Sequence, residues 1–190
     1  MHPHSRHSQR GTSLIEVLVA MIILAIGLLG LVGLQGRLQV LQMESYQRAQ
    51  ALMLLHDMAS RISLNRNNAA SYAVSAPASA PLGTGMTCPA TTTTRAQRDA
   101  GDWCNALQGA GETLGGGTVG AMVGGRGCVE SLGSGEYLVT VAWQGLAPIS
   151  APPASVACGL NQYNGGTGSV CLNDLCRRVV TTIVRIATLT

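Results

Sequence analysis

Between Val17 and Leu34 run eighteen consecutive residues with no charge and no strongly polar side chain. At about 1.5 Å per residue they make about 27 Å of helix, the thickness of a bilayer's hydrocarbon core, and Leu14 and Ile15 extend the run. Ahead of it, Met1 to Gly11 is short, polar and basic, with Arg6, Arg10 and three histidines; behind it only Arg37, Glu44 and Arg48 are near. The positive-inside bias therefore places the N-terminus in the cytoplasm and the rest of the chain across the membrane. A secretory signal peptide fits poorly, because its apolar region holds about 7–15 residues and ends at a small-residue cleavage site, which is not found here. A plain anchor fits poorly for another reason. Glu16 sits among Leu14, Ile15, Val17 and Leu18, where a carboxylate costs about 2.5–3.5 kcal/mol at a helix centre and less near an interface. It calls for a cationic partner.

Composition narrows the remaining classes. Only 11% of the 190 residues are charged, the twelve basic residues are all arginine, and the net charge is +3, so no basic run exists to track a phosphate backbone. Nucleic acid is not an expected partner. With two Trp, four Tyr, no Phe and 24 Gly, a core must be built from Val, Leu, Ile, Met and Ala, and crosslinks would help it. Cys88, Cys104, Cys128, Cys158, Cys171 and Cys176 all follow the apolar run, and an even number on the exported side favours three disulfides. Zinc is the competing reading, but there is no C-x-x-C pair, and His56 is the only histidine after Gly11. No metal or cofactor is expected. Fifteen pairings remain open; a sequential scheme (Cys88–Cys104, Cys128–Cys158, Cys171–Cys176) keeps the loops short.

Gly27, Gly30, Gly33 and Gly36 recur every third residue, a spacing that suits close helix packing, local unwinding or packing within lipid. Leu38, Leu41, Ser45, Leu52, Leu55, Ala59 and Ile62 then follow helical spacing, so one helix is expected to continue to about Arg66. It would be about 50 residues, about 75 Å, in all. Asn65 to Asn68 ends it, and Ala69 to Thr94 reads as a surface loop. A short helix is expected over Arg95 to Leu107; its Asp99 and Asp102 read as helix-surface charges, and His56 as a surface histidine, because neither has convergent partners in sequence. Gly109 to Gly127 lacks the Lys-Ser/Thr ending of a phosphate loop and reads as turns with a short strand around Val119–Val123. Glu136–Trp143 alternates as a strand, Pro148–Pro153 breaks the pattern, Gly165-Gly166 marks a loop, and Cys176–Ile186 forms a final β-branched strand. The order predicts an α+β fold, an antiparallel sheet packed on the long helix with disulfide-linked loops.

Gly11-Thr12-Ser13-Leu14-Ile15-Glu16-Val17 behind a basic leader closely resembles the processing motif of type IV prepilins. The resemblance implies a type IV pilin fold. It also implies that prepilin peptidase cuts after Gly11, that the new amine of Thr12 is methylated, and that Glu16, the fifth residue after the cut, pairs with the N-terminal amine of a neighbouring subunit. Thr12 stands where many pilins have Phe. The continuation Val17 to Gln35 resembles the PilV family of minor pilins, as does, more weakly, Asp99-Ala100-Gly101-Asp102-Trp103 followed by Leu107 and Gly115-Gly116-Gly117. Major pilins often carry a proline where Gly33 lies, and the Cys158-to-Cys176 region resembles the disulfide-closed C-terminal region of many pilins.

On this resemblance residues 1–11 are a leader, 12–36 a transmembrane and pilus-core helix, 37–66 an amphipathic helix and 67–190 a periplasmic head. The chain would sit once across the inner membrane before joining the pilus. The family implies a minor pilin that primes type IV pilus assembly and enters a tip complex, supporting twitching motility and attachment. Its implied partners are other minor pilins, the major pilin, a tip adhesin and the inner-membrane assembly platform. The nearest alternative is a minor pseudopilin of type II secretion, which shares the processing motif. A membrane-anchored periplasmic enzyme belongs to a different class and is disfavoured: the chain after Gly11 has one histidine, no G-x-S-x-G elbow and no spaced set of metal ligands.

Overall fold

The computed structural model describes residues 13–73, 77–90, 93–111, 113–115, 117–118, 120 and 122–187. Its first element, helix α1, spans Leu14–Leu64, 51 residues or about 77 Å. The chain divides between Gln42 and Met43 into two units. In the first, α1 has no buried face: every described residue from Ser13 to Gln42 is exposed, and an 18-residue window reaches a mean hydropathy of 3.0. A helix apolar all round belongs in lipid or among other helices, and this one is long and apolar enough to cross a membrane. It runs unbroken through the four glycines from Gly27 to Gly36, and a Cβ on any of them would touch nothing.

In the second unit α1 acquires an inside. Gln47, Ala51, Leu55, Met58 and Ile62, at spacings of four, four, three and four, are its buried residues. This stripe shares Leu55 and Ile62 with the expected one, but Leu38, Leu41, Ser45 and Leu52 are exposed. The helix stops at Leu64, and a 3-10 turn over Arg66–Tyr72 follows, with Asn68 out of helical conformation. Ala69 and Tyr72 are buried, so the segment expected to be a surface loop enters the core at its start and again at Leu82.

Strand β1 (Leu82–Gly83) is followed by helix α2 (Arg95–Leu107), whose bounds match the expected ones. Thr94 caps α2: its hydroxyl accepts from the Gln97 amide while the Gln97 side chain accepts from the Thr94 amide, so two orphan donors are satisfied at once. Next comes a two-residue hairpin, β2 (Thr113–Leu114) and β3 (Gly117–Thr118). Among the described residues of the expected Val119–Val123 strand, Gly120, Met122 and Val123 are not in a strand. Strand β4 (Arg126–Gly133) has no counterpart among the expected elements. Glycine and serine lower its local propensity, but Gly127 is there because the Trp103 ring lies where a Cβ would go.

β4 pairs with β5 (Glu136–Gln144) through a two-residue turn in which Ser134 and Gly135 both have positive φ, the conformation of a type I′ hairpin. β5 pairs antiparallel with β6 (Arg177–Arg185), giving the order β1-β4-β5-β6. Val129, Val139, Val141, Trp143 and Val184 share one core with the buried stripe of α1 and with Trp103 and Leu107 of α2. Each such side chain, fully buried, contributes about 1.5–3 kcal/mol. The indole of Trp103 donates to the Leu54 carbonyl at 2.9 Å, tying α2 to α1 by a polar bond inside the apolar layer.

The stretch between β5 and β6 has no regular element and is held by polar and covalent links instead. Arg177, fully buried, donates to the carbonyls of Val156 and Cys158 at 2.7 and 3.1 Å and pairs with Asp174 at 3.1 Å, and the Asp174 carboxylate accepts from the Asn161 amide at 2.9 Å. Tyr163 donates to the Gly124 carbonyl at 2.8 Å. The disulfides are Cys88–Cys104, Cys128–Cys158 and Cys171–Cys176, the sequential one of the fifteen pairings. The architecture is thus α+β and type IV pilin-like: a long N-terminal helix, a four-strand antiparallel sheet and three disulfides.

Candidate functional site

Gly11 and Thr12, the expected cleavage and methylation positions, lie outside the described residues. The site begins at Ser13. The Glu16 amide donates to the Ser13 carbonyl at 2.9 Å and to its hydroxyl oxygen at 3.4 Å, which makes Ser13 the cap of α1 and Glu16 its third residue. The spacing Ser-x-x-Glu is the capping-box pattern, a local signal for where α1 starts. Within one subunit Glu16 is exposed and forms no ion pair among the described residues. The helix N-terminus itself favours a negative charge there by about 0.3–1 kcal/mol. That is too little to offset burial in an apolar layer, so the carboxylate still requires a cation once lipid or other helices surround it.

The cysteines are spread through the head and not gathered. Cys88–Cys104 ties the loop before α2 to α2, Cys128–Cys158 ties β4 to the irregular stretch after β5, and Cys171–Cys176 closes a short loop at the start of β6. Among the described residues, no group of three or more His, Cys, Asp or Glu could hold a metal ion. His56 is exposed, and its neighbour Asp57 instead accepts from the guanidinium of Arg61 at 2.9 and 3.0 Å.

Asp99 is not the helix-surface charge that was expected. Its side chain is only 11% exposed and receives Arg61 at 2.9 Å, the Tyr72 hydroxyl and, more distantly, Arg95 at 3.8 Å, while Asp102 lies 3.6 Å from Arg61 and is open to solvent. Burial works against the charge of Arg61, yet hydrogen bonds and attraction from Asp57 and Asp99 hold its pKa above the ordinary value. Burial, with the bond to Asp99, likewise raises the Tyr72 phenol. The cluster joins α1, α2 and the 3-10 turn, and the Arg61 guanidinium, shared by Asp57 of α1 and Asp99 of α2, acts as a structural clip between the two helices.

Comparison with known proteins agrees with the N-terminal geometry. The prokaryotic N-terminal methylation motif matches residues 6–32, a window that contains Gly11, Thr12, Ser13, Glu16 and most of the apolar run. No curated protein and no solved structure matches the chain. Joined to a membrane-length helix and a disulfide-linked α+β head, the motif indicates a type IV pilin or pseudopilin precursor.

Proposed function

We propose that the chain is a minor pilin similar to the PilV family, which after processing joins other minor pilins in the complex that primes type IV pilus assembly and enters its tip. The observation that carries this reading is the coincidence of Gly11, Thr12 and Glu16 at motif spacing within residues 6–32, directly ahead of a fully exposed apolar helix. Prepilin peptidase cuts after Gly11 on the cytoplasmic face, and the freed amine of Thr12 is methylated. The methylated amine remains a cation, and in an apolar layer it and Glu16 of a neighbouring subunit each supply what the other lacks. Removing one member of such a buried pair costs about 3–5 kcal/mol. Because both groups lie within the first five residues of the processed chain, their pairing fixes the axial offset between neighbours. The glycines at 27, 30, 33 and 36 let helices approach closely. The head, on the periplasmic side, selects which subunits stand beside it, and assembled pili support twitching motility and attachment.

The intact mass of the protein from its native membranes, with N-terminal fragmentation, tests the processing. A chain starting at Thr12 with one added methyl group is expected; one starting at Met1, or beyond Leu34, overturns the reading. Glu16→Ala should insert in the membrane normally yet enter sheared pili about a hundredfold less, and normal incorporation would remove the pairing argument. Deletion of the chain should abolish surface pili and leave secretion intact. Lost secretion with normal piliation would assign it to a type II secretion pseudopilus.

A further inference from the structure

Within the head, the second unit's part of α1, the end of β5 and the loop before β6 border a cavity of about 650 Å³. Sites that hold small organic ligands fall in this range, about 300–1,000 Å³. Trp143, Ile149, Pro152 and Pro153 give the cavity an apolar wall. The Ile149 amide donates to the Leu175 carbonyl at 2.8 Å, which fixes one end of the loop. Each proline ring holds its own φ near about −65°, so the other end keeps its shape without a ladder of hydrogen bonds. A wall of this kind is formed before any ligand arrives, and a ligand does not have to order it.

The charged residues of the lining are Glu44, Arg48, Arg177 and Arg178, and all but one are already matched. Arg177 is buried and pairs with Asp174 at 3.1 Å. Arg178 donates to the carbonyls of Ala147 and Leu175 at 2.6 and 3.1 Å and pairs with Glu44 at 3.4 Å. Glu44 also accepts from the Leu146 amide at 3.0 Å. A glutamate four residues ahead of an arginine on a helix ordinarily pairs with it. Here Glu44 is turned to Leu146 and Arg178 instead, so Arg48 is left exposed, with no ion pair among the described residues. Trp143 adds a donor: its indole N–H, unlike that of Trp103, donates to no described residue.

We infer that this cavity binds a small organic acid, one carboxylate on an apolar or aromatic body, with the carboxylate on Arg48 and the body against Trp143, Ile149 and the two prolines. The planar guanidinium fork matches a carboxylate with two parallel hydrogen bonds. One unmatched cation in the lining calls for a single negative charge. Inorganic phosphate carries more charge and no apolar body, and so fits neither part. An acidic segment of a protein would bring peptide groups against Ile149 and the prolines, which leave them unpaired at a cost. The inference concerns the head alone and holds whether or not the chain enters a pilus.

Three probes of one shape and different charge test it on the full chain in zwitterionic micelles, at neutral pH and fixed ionic strength: benzoate, benzamide and benzamidine. The readout is the NMR shift of the Trp143 indole N–H and the Arg48 Nε–H, with the Trp103 indole as an internal control. Benzoate should move the first two signals saturably at millimolar concentrations and leave Trp103 in place. Benzamide should bind about tenfold more weakly, and benzamidine not at all. Arg48→Gln should weaken benzoate about tenfold, to the level of benzamide, without moving the thermal midpoint of the head. Inorganic phosphate and N-acetylglutamate α-amide, the same carboxylate on a peptide body, should each bind about fivefold more weakly than benzoate. No saturable shift at Trp143, benzamide binding as well as benzoate, or an affinity indifferent to Arg48→Gln would each overturn the inference. Tighter binding of phosphate would make the site one for inorganic anions, and tighter binding of the glutamate amide one for an acidic protein segment; either result overturns it too.

Discussion

The two units of this chain are apolar for opposite reasons. From Leu14 to Gln42, α1 displays Leu, Ile, Val and Met on every side and buries none of them, whereas the same helix from Gln47 to Ile62 buries one stripe, flanks it with half-buried residues such as Leu54 and Ala59, and exposes the opposite side. The first stretch is written for its surroundings, lipid or other helices, and each residue's fate follows from its own side chain. The second is written for the rest of its own chain: Ala51, Leu55 and Met58 are inside because Val139, Val141 and Trp143, some ninety residues on, cover them.

That contrast sets the order of expected effects. Gly11→Val is the largest: it should block processing outright, leaving a chain that keeps its leader, is absent from pili and has an unchanged head. Full-length, leader-free protein from this variant would refute the cleavage site, and a destabilised head would show that the two regions are coupled. Next is a matched pair of truncations. Trp103→Ala, at a side chain with no exposure that fills the space beside Gly127, should cost the head about 3–5 kcal/mol in denaturant unfolding of the full chain in micelles. Leu24→Ala, at a side chain 65% exposed, should leave that transition within about 0.5 kcal/mol. Equal losses would mean that the apolar helix shares the core of the head.

How much of each region was legible follows the same line. The apolar run, Glu16 and the basic leader can be read locally, and the sequence also held the Ser13 cap in its Ser-x-x-Glu spacing. In the head, α2, β5 and β6 announced themselves through periodicity and β-branched runs. β4 did not, because Gly127 serves the Trp103 ring and not the strand's own propensity. Asp99 looked like surface because its partners Arg61 and Tyr72 are 38 and 27 residues away, and nothing in the spacing of α2 reveals them. Arg177 carried no local signal either: a fully buried guanidinium depends on the carbonyls of Val156 and Cys158, which only the folded stretch after β5 brings to it.

That stretch supplies a pH test confined to the head. Burial pushes the Tyr163 phenol from its ordinary 10.0 up to about 12, although Arg126, 4.8 Å over its ring, and Arg177 pull the other way. The folded state therefore keeps a proton that the unfolded chain releases. The contribution is fully present below pH 10.0 and is lost as pH rises towards about 12, a change of about 2–3 kcal/mol. Thermal midpoints followed upward from pH 9 should fall more steeply in the native chain than in Tyr163→Phe, which begins lower because it loses the bond to Gly124. Tyr72 is shifted in the same direction in both proteins and cancels from the comparison. Identical slopes would mean that water reaches Tyr163 and that the irregular stretch packs less tightly than β5 beneath it.

The smallest effect probes the point where the first region becomes chemistry. Ser13 satisfies the Glu16 amide, so Ser13→Ala should weaken the opening turn of α1 by about 1 kcal/mol and speed hydrogen exchange at the Glu16 amide about fivefold, with amides of the head unchanged. After processing, Ser13 would be the second residue of the chain and Glu16 the fifth, so the cap holds in place the carboxylate that is proposed to set register. A loosened first turn spreads Glu16 over more positions relative to a neighbour's amine, and incorporation into pili should drop, though far less than in Glu16→Ala. If exchange at Glu16 quickens while incorporation stays normal, the neighbouring subunit itself orders that turn on assembly. If exchange does not change, the hydroxyl contributes nothing to the cap, and the Ser13 carbonyl, at 2.9 Å from the Glu16 amide, is sufficient to start the helix.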